Sequence, residues 1–193
     1  LDGGARRGLQ PVQVGPDDVA FLQYTGGTTG VSKGATLLHR NLVANVLQME
    51  AWVNPALNDT SRGPIPEQFV YICALPLYHV FALVVNCLFG IRQGTLNVLI
   101  TNPRDMAGFV RELAKYKFNV VPGVNTLYNT LVENADFQKL DFSSLRISNG
   151  GGMAVQQAVA EKWLKLTGVP IVEGYGLSEA SPVATSNPVM SRE

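Results

Sequence analysis

The sequence predicts an α/β fold with mostly parallel sheets flanked by helices. Short apolar segments alternate along the chain with longer segments whose apolar residues recur at helical spacing, an order typical of parallel sheets covered by helices. Glycine-rich polar segments follow several of the predicted strands. With 46% hydrophobic and 16% charged residues among 193, the composition is ordinary for a globular domain or for part of a larger one.

Two regular elements are predicted in the first third of the chain. An apolar strand at residues 19–24 leads into a polar segment at residues 25–34. After Asn41 the apolar residues recur at helical spacing until Asn54 and Pro55, where we expect the helix to end. Residues 54–68 are rich in Pro, Asn, Asp and Gly and predict a surface loop.

Residues 69–91 carry no Asp, Glu, Lys or Arg over nearly the length of a membrane span. Pro76, His79 and Asn86 interrupt this run. The pattern therefore favours a buried strand at residues 71–75, a turn and a buried helix, with a true span as the alternative.

The second half of the chain alternates strands and helices. Strands are predicted at residues 95–100, 119–121, 145–148 and 169–173. Asn102 followed by Pro103 predicts an N-cap and a first helical position. Two further helices are predicted, one around Leu127 and one that ends at Gly168.

The polar segment at residues 25–34, here called the phosphate segment, reads Thr-Gly-Gly-Thr-Thr-Gly-Val-Ser-Lys-Gly. Glycines let successive backbone N–H groups approach an anion, while hydroxyls and a lysine add donors and a positive charge. The spacing fits neither a Walker loop nor a G-x-G-x-x-G motif. It predicts a phosphate-binding loop, with a flexible surface loop as the alternative.

Other glycine-rich or polar segments also follow predicted strands: Tyr78 with His79, Gly123, residues 150–152 and residues 175–179. In open parallel sheets, ligands bind beyond the carboxyl ends of the strands. We therefore expect these segments to meet at one crevice of nucleotide size, with its phosphate end at the phosphate segment.

The phosphate segment resembles the signature loop of the adenylate-forming superfamily, which includes acyl-CoA synthetases, luciferases and amino-acid-activating domains. Residues 175–179, Tyr-Gly-Leu-Ser-Glu, resemble its Tyr-Gly-x-Thr/Ser-Glu motif, and residues 76–79 resemble its histidine motif. The resemblance covers nearly the whole chain and is greatest to bacterial long-chain fatty-acid–CoA ligases. Residues 175–179 are called the tyrosine motif below, and residues 150–152 the triple-glycine segment.

The resemblance implies that Tyr175 lies against adenine, that the Ser178 hydroxyl contacts phosphate and that Glu179 helps to hold Mg²⁺. It places His79 near the acyl carboxylate and the α-phosphate. Catalytic roles are thereby implied for Lys33, His79, Ser178 and Glu179. Nucleotide contacts are implied at Thr25, Gly26, Gly27, Thr28, Thr29, Gly30, Ser32, Lys33, Gly34, Gly150, Gly151, Gly152, Glu173, Gly174, Tyr175, Gly176 and Ser178.

Two positions depart from the pattern of the family: Ser32, where many relatives place Pro, and Asn149, where relatives usually carry Ala or Gly. We expect the Asn149 side chain to hydrogen-bond a neighbour or to restrict the pocket. Taken alone, each motif has a simpler alternative: a buried core histidine at His79, a plain turn at the tyrosine motif, and a turn leading into a helix at the triple-glycine segment.

The implied function is ATP-dependent activation of a long-chain fatty acid to an acyl-adenylate and then to acyl-CoA, with ATP, Mg²⁺ and coenzyme A as co-substrate. The uncharged run at residues 69–91 fits an apolar acyl tail. A ligase for an aryl or medium-chain acid, and a non-catalytic nucleotide- or fatty-acid-binding module, are the alternatives. Residues 1–193 would form the central segment of the adenylation domain without the small C-terminal domain of the family, so we expect the chain alone to be inactive or nearly so.

The charge and cysteine content favour a cytoplasmic protein. The formal net charge is zero, so nothing predicts a nucleic-acid partner. Cys73 and Cys87 have no metal-ligand spacing, the two histidines bring no acidic cluster, and we expect neither a disulfide framework nor a signal peptide. Peripheral contact with the inner membrane face and a homodimer are left open.

Overall fold

The structure, a computed structural model, describes residue 8, residues 10–25 and residues 32–189. Within these ranges the strands are β1 Val19–Thr25, β2 Lys33–Leu38, β3 Val70–Cys73, β4 Leu96–Leu99, β5 Val120–Gly123, β6 Ile147–Gly150, β7 Ile171–Gly176 and β8 Val183–Ser186. The helices are α1 His39–Leu57, α2 Val80–Ala82, α3 Phe89–Gln93, α4 Met106–Leu113, α5 Asn125–Val132 and α6 Gln157–Thr167. A π-helical segment, Leu83–Leu88, joins α2 to α3.

The main sheet has six strands in the order β4-β3-β5-β6-β7-β8. All its neighbouring pairs are parallel except β7 and β8, which are antiparallel. Strands β1 and β2 form a separate antiparallel pair. The predicted α/β fold with a mostly parallel sheet is confirmed.

Helices cover both faces of the main sheet. Successive side chains of a strand point to opposite faces, and the neighbours Tyr71 and Ile72 of β3 belong to different buried clusters. The cluster with Tyr71 includes residues of α1, α2 and α3, such as Val46 and Phe89. The cluster with Ile72 includes residues of α4, α5 and α6, such as Trp163. The carboxyl ends of the strands are thus left for a site.

The first helix runs further than its sequence suggests. Helix α1 contains Pro55 and continues to Leu57, so the prediction that it ends at Asn54 and Pro55 is wrong. Proline removes one backbone donor, but here it stands in the last turn, and Ala56 and Leu57 behind it are buried. Burial of these apolar residues holds the last turn in helical form.

The predicted start of α4 is also wrong. Asp105 caps the helix by accepting a hydrogen bond from the backbone nitrogen of Gly108 at 2.9 Å. The Asn102 side chain instead accepts from the backbone nitrogen of Arg104 at 3.2 Å and closes a separate turn. A polar residue before proline can cap a helix or close a turn. Here Asn102 closes the turn and Asp105 caps the helix.

Two strands were missed by the sequence interpretation. β2 contains Gly34, and only Leu37 within it is buried, so it lacks an alternating apolar pattern. β8 is four residues long and lies at the edge of the sheet. The buried strand, turn and helix predicted in residues 69–91 are confirmed, and no helix in the described part of the chain is long and apolar enough to cross a membrane.

Candidate functional site

A cavity of about 740 Å³ lies at the carboxyl ends of β6 and β7, beside α1, α2 and β8. Its walls come from segments far apart in the chain. The lining residues are Asn45, Gln48, Met49, Trp52, Val53, His79, Val80, Phe81, Val85, Asn149, Gly150, Gly151, Gly152, Gly174, Tyr175, Gly176, Leu177, Ser178, Glu179, Pro182, Val183, Ala184, Thr185 and Ser186.

Three of the predicted motifs meet at this cavity. His79, the triple-glycine segment and the tyrosine motif all line it. The expectation that polar segments after distant strands converge on one crevice therefore holds for these three. Its volume is in the range of small-molecule sites and is sufficient for a nucleotide.

Gly26, Gly27, Thr28, Thr29 and Gly30 of the phosphate segment lie outside the described residues. The two strands that flank them are described, and Thr25 pairs with Lys33 and Tyr24 with Gly34. The two ends of the phosphate segment, Thr25 and Lys33, are therefore neighbours in this strand pair. Ser32, Lys33 and Gly34 are exposed and are not among the described residues that line the cavity.

The β1–β2 pair contacts two segments that line the cavity, the turn with His79 and the turn with Glu179. Gln23 in β1 donates a hydrogen bond from Nε2 to the backbone oxygen of Tyr78 at 2.9 Å, next to His79. Strand β2 lies against the turn Ser178–Ala180, with Cα atoms of the two within 8 Å. This placement brings the ends of the phosphate segment to the histidine motif and to the tyrosine motif.

The tyrosine motif spans the end of β7 and a single turn of 3-10 helix, Ser178–Ala180. Tyr175 is 66% exposed, so one ring face is available for a planar ligand. Gly176 has no room for a side chain, because a Cβ there would collide with the backbone oxygen of Pro182. Ser178 is half-buried and Glu179 is exposed at the cavity.

Glu179 offers a single carboxylate for a cation. The described part of the chain contains no cluster of three or more His, Cys, Asp or Glu side chains able to hold a metal ion. Magnesium in phosphate-handling sites is bound through one or two carboxylates together with substrate phosphates. An exposed carboxylate on the cavity wall fits that mode and does not fit a metal site made by protein groups alone.

His79 stands directly before α2. Its Nδ1 accepts a hydrogen bond from the backbone nitrogen of Phe81 at 3.2 Å and so caps that helix. In the neutral ring the proton is therefore on Nε2, which can donate to an anion. The side chain is exposed and lines the cavity, which excludes the alternative of a buried core histidine.

The triple-glycine segment leaves β6 and turns toward α6. Gly152 has φ of +75°, a conformation that favours glycine. A Cβ on Gly151 would lie 3.0 Å from a ring carbon of Phe81. The segment leads into a helix and also brings its backbone to the cavity wall, and its contact with a nucleotide stays a prediction.

Asn149 lines the cavity just before the triple-glycine segment. Its side chain makes no hydrogen bond to any of the residues that the structure describes, and it is half-buried. Its backbone oxygen lies 2.9 Å from the hydroxyl of Tyr128. Asn149 was expected either to hydrogen-bond a neighbour or to restrict the pocket. Its position on the cavity wall agrees with the second expectation.

Glu173 occupies a different environment from its neighbours in the tyrosine motif. Its Oε2 accepts a hydrogen bond from the backbone nitrogen of Val155 at 3.0 Å. It is not one of the described residues that line the cavity, whereas Gly174 after it is. The carboxylate is engaged by the segment that follows the triple glycine.

The sequence interpretation missed Asn45 and Trp52 of α1. Asn45 is buried, donates from Nδ2 to the backbone oxygen of Val183 at 2.9 Å and accepts from its backbone nitrogen at 3.3 Å. Trp52 donates from Nε1 to the backbone oxygen of Asn187 at 3.0 Å. The available signal was an asparagine between Leu42 and Val46 on an apolar helix face.

Burial raises the pKa of two side chains, Cys73 and Tyr128. Desolvation, with a smaller contribution from Cys87, raises the pKa of the Cys73 thiol to about 11. Desolvation likewise raises the pKa of Tyr128 well above its ordinary value. Neither group ionises at neutral pH, so Tyr128 acts as a hydrogen-bond donor and Cys73 as an apolar residue.

The fold and the site together define a class: an α/β domain that holds a nucleotide-sized ligand at the carboxyl ends of a mostly parallel sheet. The motifs on the cavity wall narrow this class. The AMP-binding enzyme family matches residues 3–193, and the chain belongs to that family.

The relatives of known function agree with this assignment. The chain is 54% identical over 188 residues to the long-chain-fatty-acid–CoA ligase of Escherichia coli O157:H7, covering 97% of this chain and 32% of that protein. The ligase of the same name from Haemophilus influenzae is 51% identical over 187 residues, covering 97% and 32%. The chain thus spans about a third of the length of these relatives. The resemblance to bacterial long-chain fatty-acid–CoA ligases is confirmed.

Solved structures support the fold. Apo MatB from Rhodopseudomonas palustris matches with a TM-score of 0.78 at 26% identity, covering 100% of this chain and 36% of that one. The anthranilate CoA ligase AuaEII in complex with anthranoyl-AMP matches with a TM-score of 0.80 at 24% identity, covering 96% and 34%. The second of these likenesses concerns the fold alone.

Proposed function

We propose that the complete protein is an AMP-forming long-chain fatty-acid–CoA ligase and that this chain supplies the greater part of its ATP site. One observation carries the proposal: His79, the triple-glycine segment and the tyrosine motif line a single cavity although they are distant in the sequence. Identity of 54% to a long-chain-fatty-acid–CoA ligase supports the same reaction.

The first step joins the fatty acid to AMP. A carboxylate oxygen attacks the α-phosphorus of ATP, the bond to the β-phosphate oxygen breaks, and pyrophosphate leaves with its electron pair. The carboxylate is already an anion at neutral pH, so no general base is needed. The protein must position the reactants and neutralise charge on the phosphates.

Each group on the cavity wall has a place in this step. Tyr175 offers an exposed ring on which adenine can stack, and the Ser178 hydroxyl can donate to a phosphate oxygen. The Nε2–H of His79 can donate to the α-phosphate or the acyl carboxylate. Lys33 and the backbone amides of the phosphate segment are proposed to hold the β- and γ-phosphates.

Magnesium, when bound, would neutralise phosphate charge and orient the leaving pyrophosphate. Glu179 is the residue proposed to hold it, because its carboxylate is exposed on the cavity wall beside Ser178. In the second step the thiol of coenzyme A attacks the acyl carbonyl carbon, AMP leaves with its electron pair, and the thiol proton passes to solvent.

The acyl substrate is proposed to be a fatty acid because the cavity wall on the α2 side is apolar. Val80, Phe81 and Val85 line it. The run at residues 69–91 contains no Asp or Glu that could pair with the ammonium group of an amino-acid substrate. An aliphatic tail can bury itself against such a wall. A ligase for an aryl or medium-chain acid is the second candidate, and a panel of acids decides between the two.

The finer statements on location and assembly are proposals as well. We propose that the complete protein acts in the cytoplasm, where ATP and coenzyme A are available, and meets its substrate at the inner membrane face. A homodimer stays an expectation. Sedimentation of the complete protein, alone and with vesicles of Escherichia coli lipids, measures both properties.

Fatty-acid-dependent exchange of pyrophosphate into ATP by the complete protein tests the proposed function. We expect exchange with a long-chain acid and Mg²⁺, and a loss of about 100-fold or more in Lys33→Ala and in Glu179→Ala. Lys139→Ala and Glu133→Ala are the matched controls, because both residues form exposed ion pairs away from the cavity. Absence of exchange with any acid would instead favour a non-catalytic binding module.

A separate measurement tests the expected inactivity of the chain alone. The 193 residues span about a third of the ligases they resemble, and the small C-terminal domain of the family is expected to supply a further catalytic group. Robust acyl-CoA formation by the isolated chain would refute this expectation.

A further inference from the structure

Two consecutive backbone N–H groups after the triple-glycine segment each donate a hydrogen bond to a side-chain oxygen from another element of the fold. The backbone nitrogen of Val155 donates to Oε2 of Glu173 at 3.0 Å. The backbone nitrogen of Gln156 donates to Oδ1 of Asn125 at 2.9 Å. Glu173 belongs to β7 and Asn125 opens α5, so the two acceptors come from different elements.

The segment held in this way has few other attachments. Gly152, Met153 and Ala154 are exposed, and α6 begins only at Gln157. The glycines before it are held by the pairing of Gly150 within the sheet and by a hydrogen bond from the backbone nitrogen of Gly151 to the oxygen of Gly123 at 3.2 Å. The position of the loop therefore depends strongly on the two side-chain acceptors.

The amide of Val155 is coupled directly to the glycines. A Cβ on Gly150 would lie 2.7 Å from Cγ2 of Val155, so the Val155 side chain packs on the bare backbone of Gly150. A shift of Val155 would be transmitted to Gly150 and then to Gly151, both of which line the cavity. Tight packing transmits small displacements of this kind.

We propose that Glu173 and Asn125 are positioning residues that together hold the triple-glycine segment against the bound nucleotide. Glu173 acts as a hydrogen-bond acceptor for Val155 and not as a ligand of the nucleotide or of a cation. This assignment replaces the nucleotide contact expected for Glu173 from the sequence, and it rests on the function proposed above.

The distinction between acceptor and charge gives a sharp test. Glu173→Gln and Asn125→Asp each keep a side-chain oxygen but change the charge in opposite directions, whereas Glu173→Ala and Asn125→Ala remove the oxygen. If the two residues position the loop, the effects follow the presence of the oxygen. If Glu173 binds a cation or a phosphate-bound ion, the effects follow its charge.

The experiment uses the complete protein and measures KM for ATP and kcat in fatty-acid-dependent pyrophosphate exchange, with the melting temperature of each variant. Exchange by the unmodified protein is established first, so failure of the proposed function is seen before any variant is compared. We expect Glu173→Ala and Asn125→Ala each to raise KM for ATP by roughly ten-fold, the effect of one lost part-buried hydrogen bond. Glu173→Gln and Asn125→Asp keep the acceptor oxygen, so their KM for ATP should stay close to that of the unmodified protein.

Gln157→Ala is the matched control. Gln157 begins α6 beside the two amides, and its side chain donates only to Glu161 on the same helix among the described residues. It should leave KM for ATP within about two-fold of the unmodified value. A loss in Glu173→Gln equal to that in Glu173→Ala would overturn the proposal, as would a lower melting temperature in the alanine variants with KM for ATP unchanged.

Discussion

Gln23 donates a hydrogen bond from Nε2 to the backbone oxygen of Tyr78, 2.9 Å away. This contact joins the strand that enters the phosphate segment to the turn that carries His79. The other side of the same strand pair lies against the turn with Glu179. A small two-stranded unit outside the main sheet thus links the two ends of the proposed ATP site.

The first prediction concerns this link. Gln23→Ala should lower kcat for pyrophosphate exchange by roughly five- to ten-fold, because about 1 kcal/mol of hydrogen bonding no longer fixes the phosphate segment relative to His79. The melting temperature should change little, because the hydrogen bond is exposed. Gln13→Ala, at an exposed position before β1, is the control. Unchanged kinetics in Gln23→Ala would show that the phosphate segment is positioned by other contacts.

The second prediction concerns Gly176. Replacement by Ala places a Cβ against the backbone oxygen of Pro182, so the chain between β7 and β8 must shift. We expect a loss of about 1–3 kcal/mol in the free energy of unfolding and weaker binding of AMP, because Tyr175 moves with it. Urea unfolding and calorimetric titration with AMP measure the two effects.

Gly8→Ala is the control for Gly176→Ala, since a Cβ at Gly8 would meet no atom of the described residues within 4 Å. A Gly176→Ala protein with the stability and AMP affinity of the unmodified one would contradict the contact with Pro182.

The third prediction concerns the attachment of β8 to α1. Asn45 is 5% exposed and exchanges two hydrogen bonds with the backbone of Val183. Asn45→Ala leaves a backbone donor and acceptor without partners and should lower the free energy of unfolding by about 1–3 kcal/mol. Asn45→Asp should cost more, because a carboxylate would face the Val183 oxygen. Urea unfolding of both variants, with exposed Asn129→Ala as control, gives the comparison.

The fourth prediction concerns the pH dependence of Cys73. Burial raises the pKa of its thiol to about 11, and thiol alkylation requires the thiolate. In a Cys87→Ser protein, which keeps the larger contribution from burial, the rate of alkylation by iodoacetamide should therefore keep rising with pH beyond 9.0, the ordinary value, before it levels off. A plateau near pH 9 would show that Cys73 is accessible to water.

The same pKa shift affects stability with a defined sign. The folded thiol holds its proton to higher pH than the unfolded thiol, so its contribution to stability is complete below about pH 9 and is lost as pH rises through about 11. Cys73→Ala should remove this part of the alkaline loss of stability.

Much of the fold could be predicted because its signals are local. The spacing of apolar residues before Gly168 predicts α6, and Gly168 ends that helix with φ of +71°. The apolar run around Ile72 predicts a buried strand. Strand β8 and the cap of α4 gave weaker local signals, because a four-residue edge strand and a choice between Asn102 and Asp105 are settled by neighbouring elements.

The sequence by itself determined the order of strands and helices apart from β2 and β8, together with the phosphate segment and the tyrosine motif, because backbone preference and apolar spacing act over a few residues. Tertiary structure decided which side chain hydrogen-bonds to which backbone group. The Glu173 carboxylate accepts from the backbone nitrogen of Val155, and the Asn45 side chain bonds to the backbone of Val183. Such pairs depend on how elements far apart in the chain pack against one another. No local pattern carries that information, since the same glutamate beside a glycine could equally have faced the nucleotide.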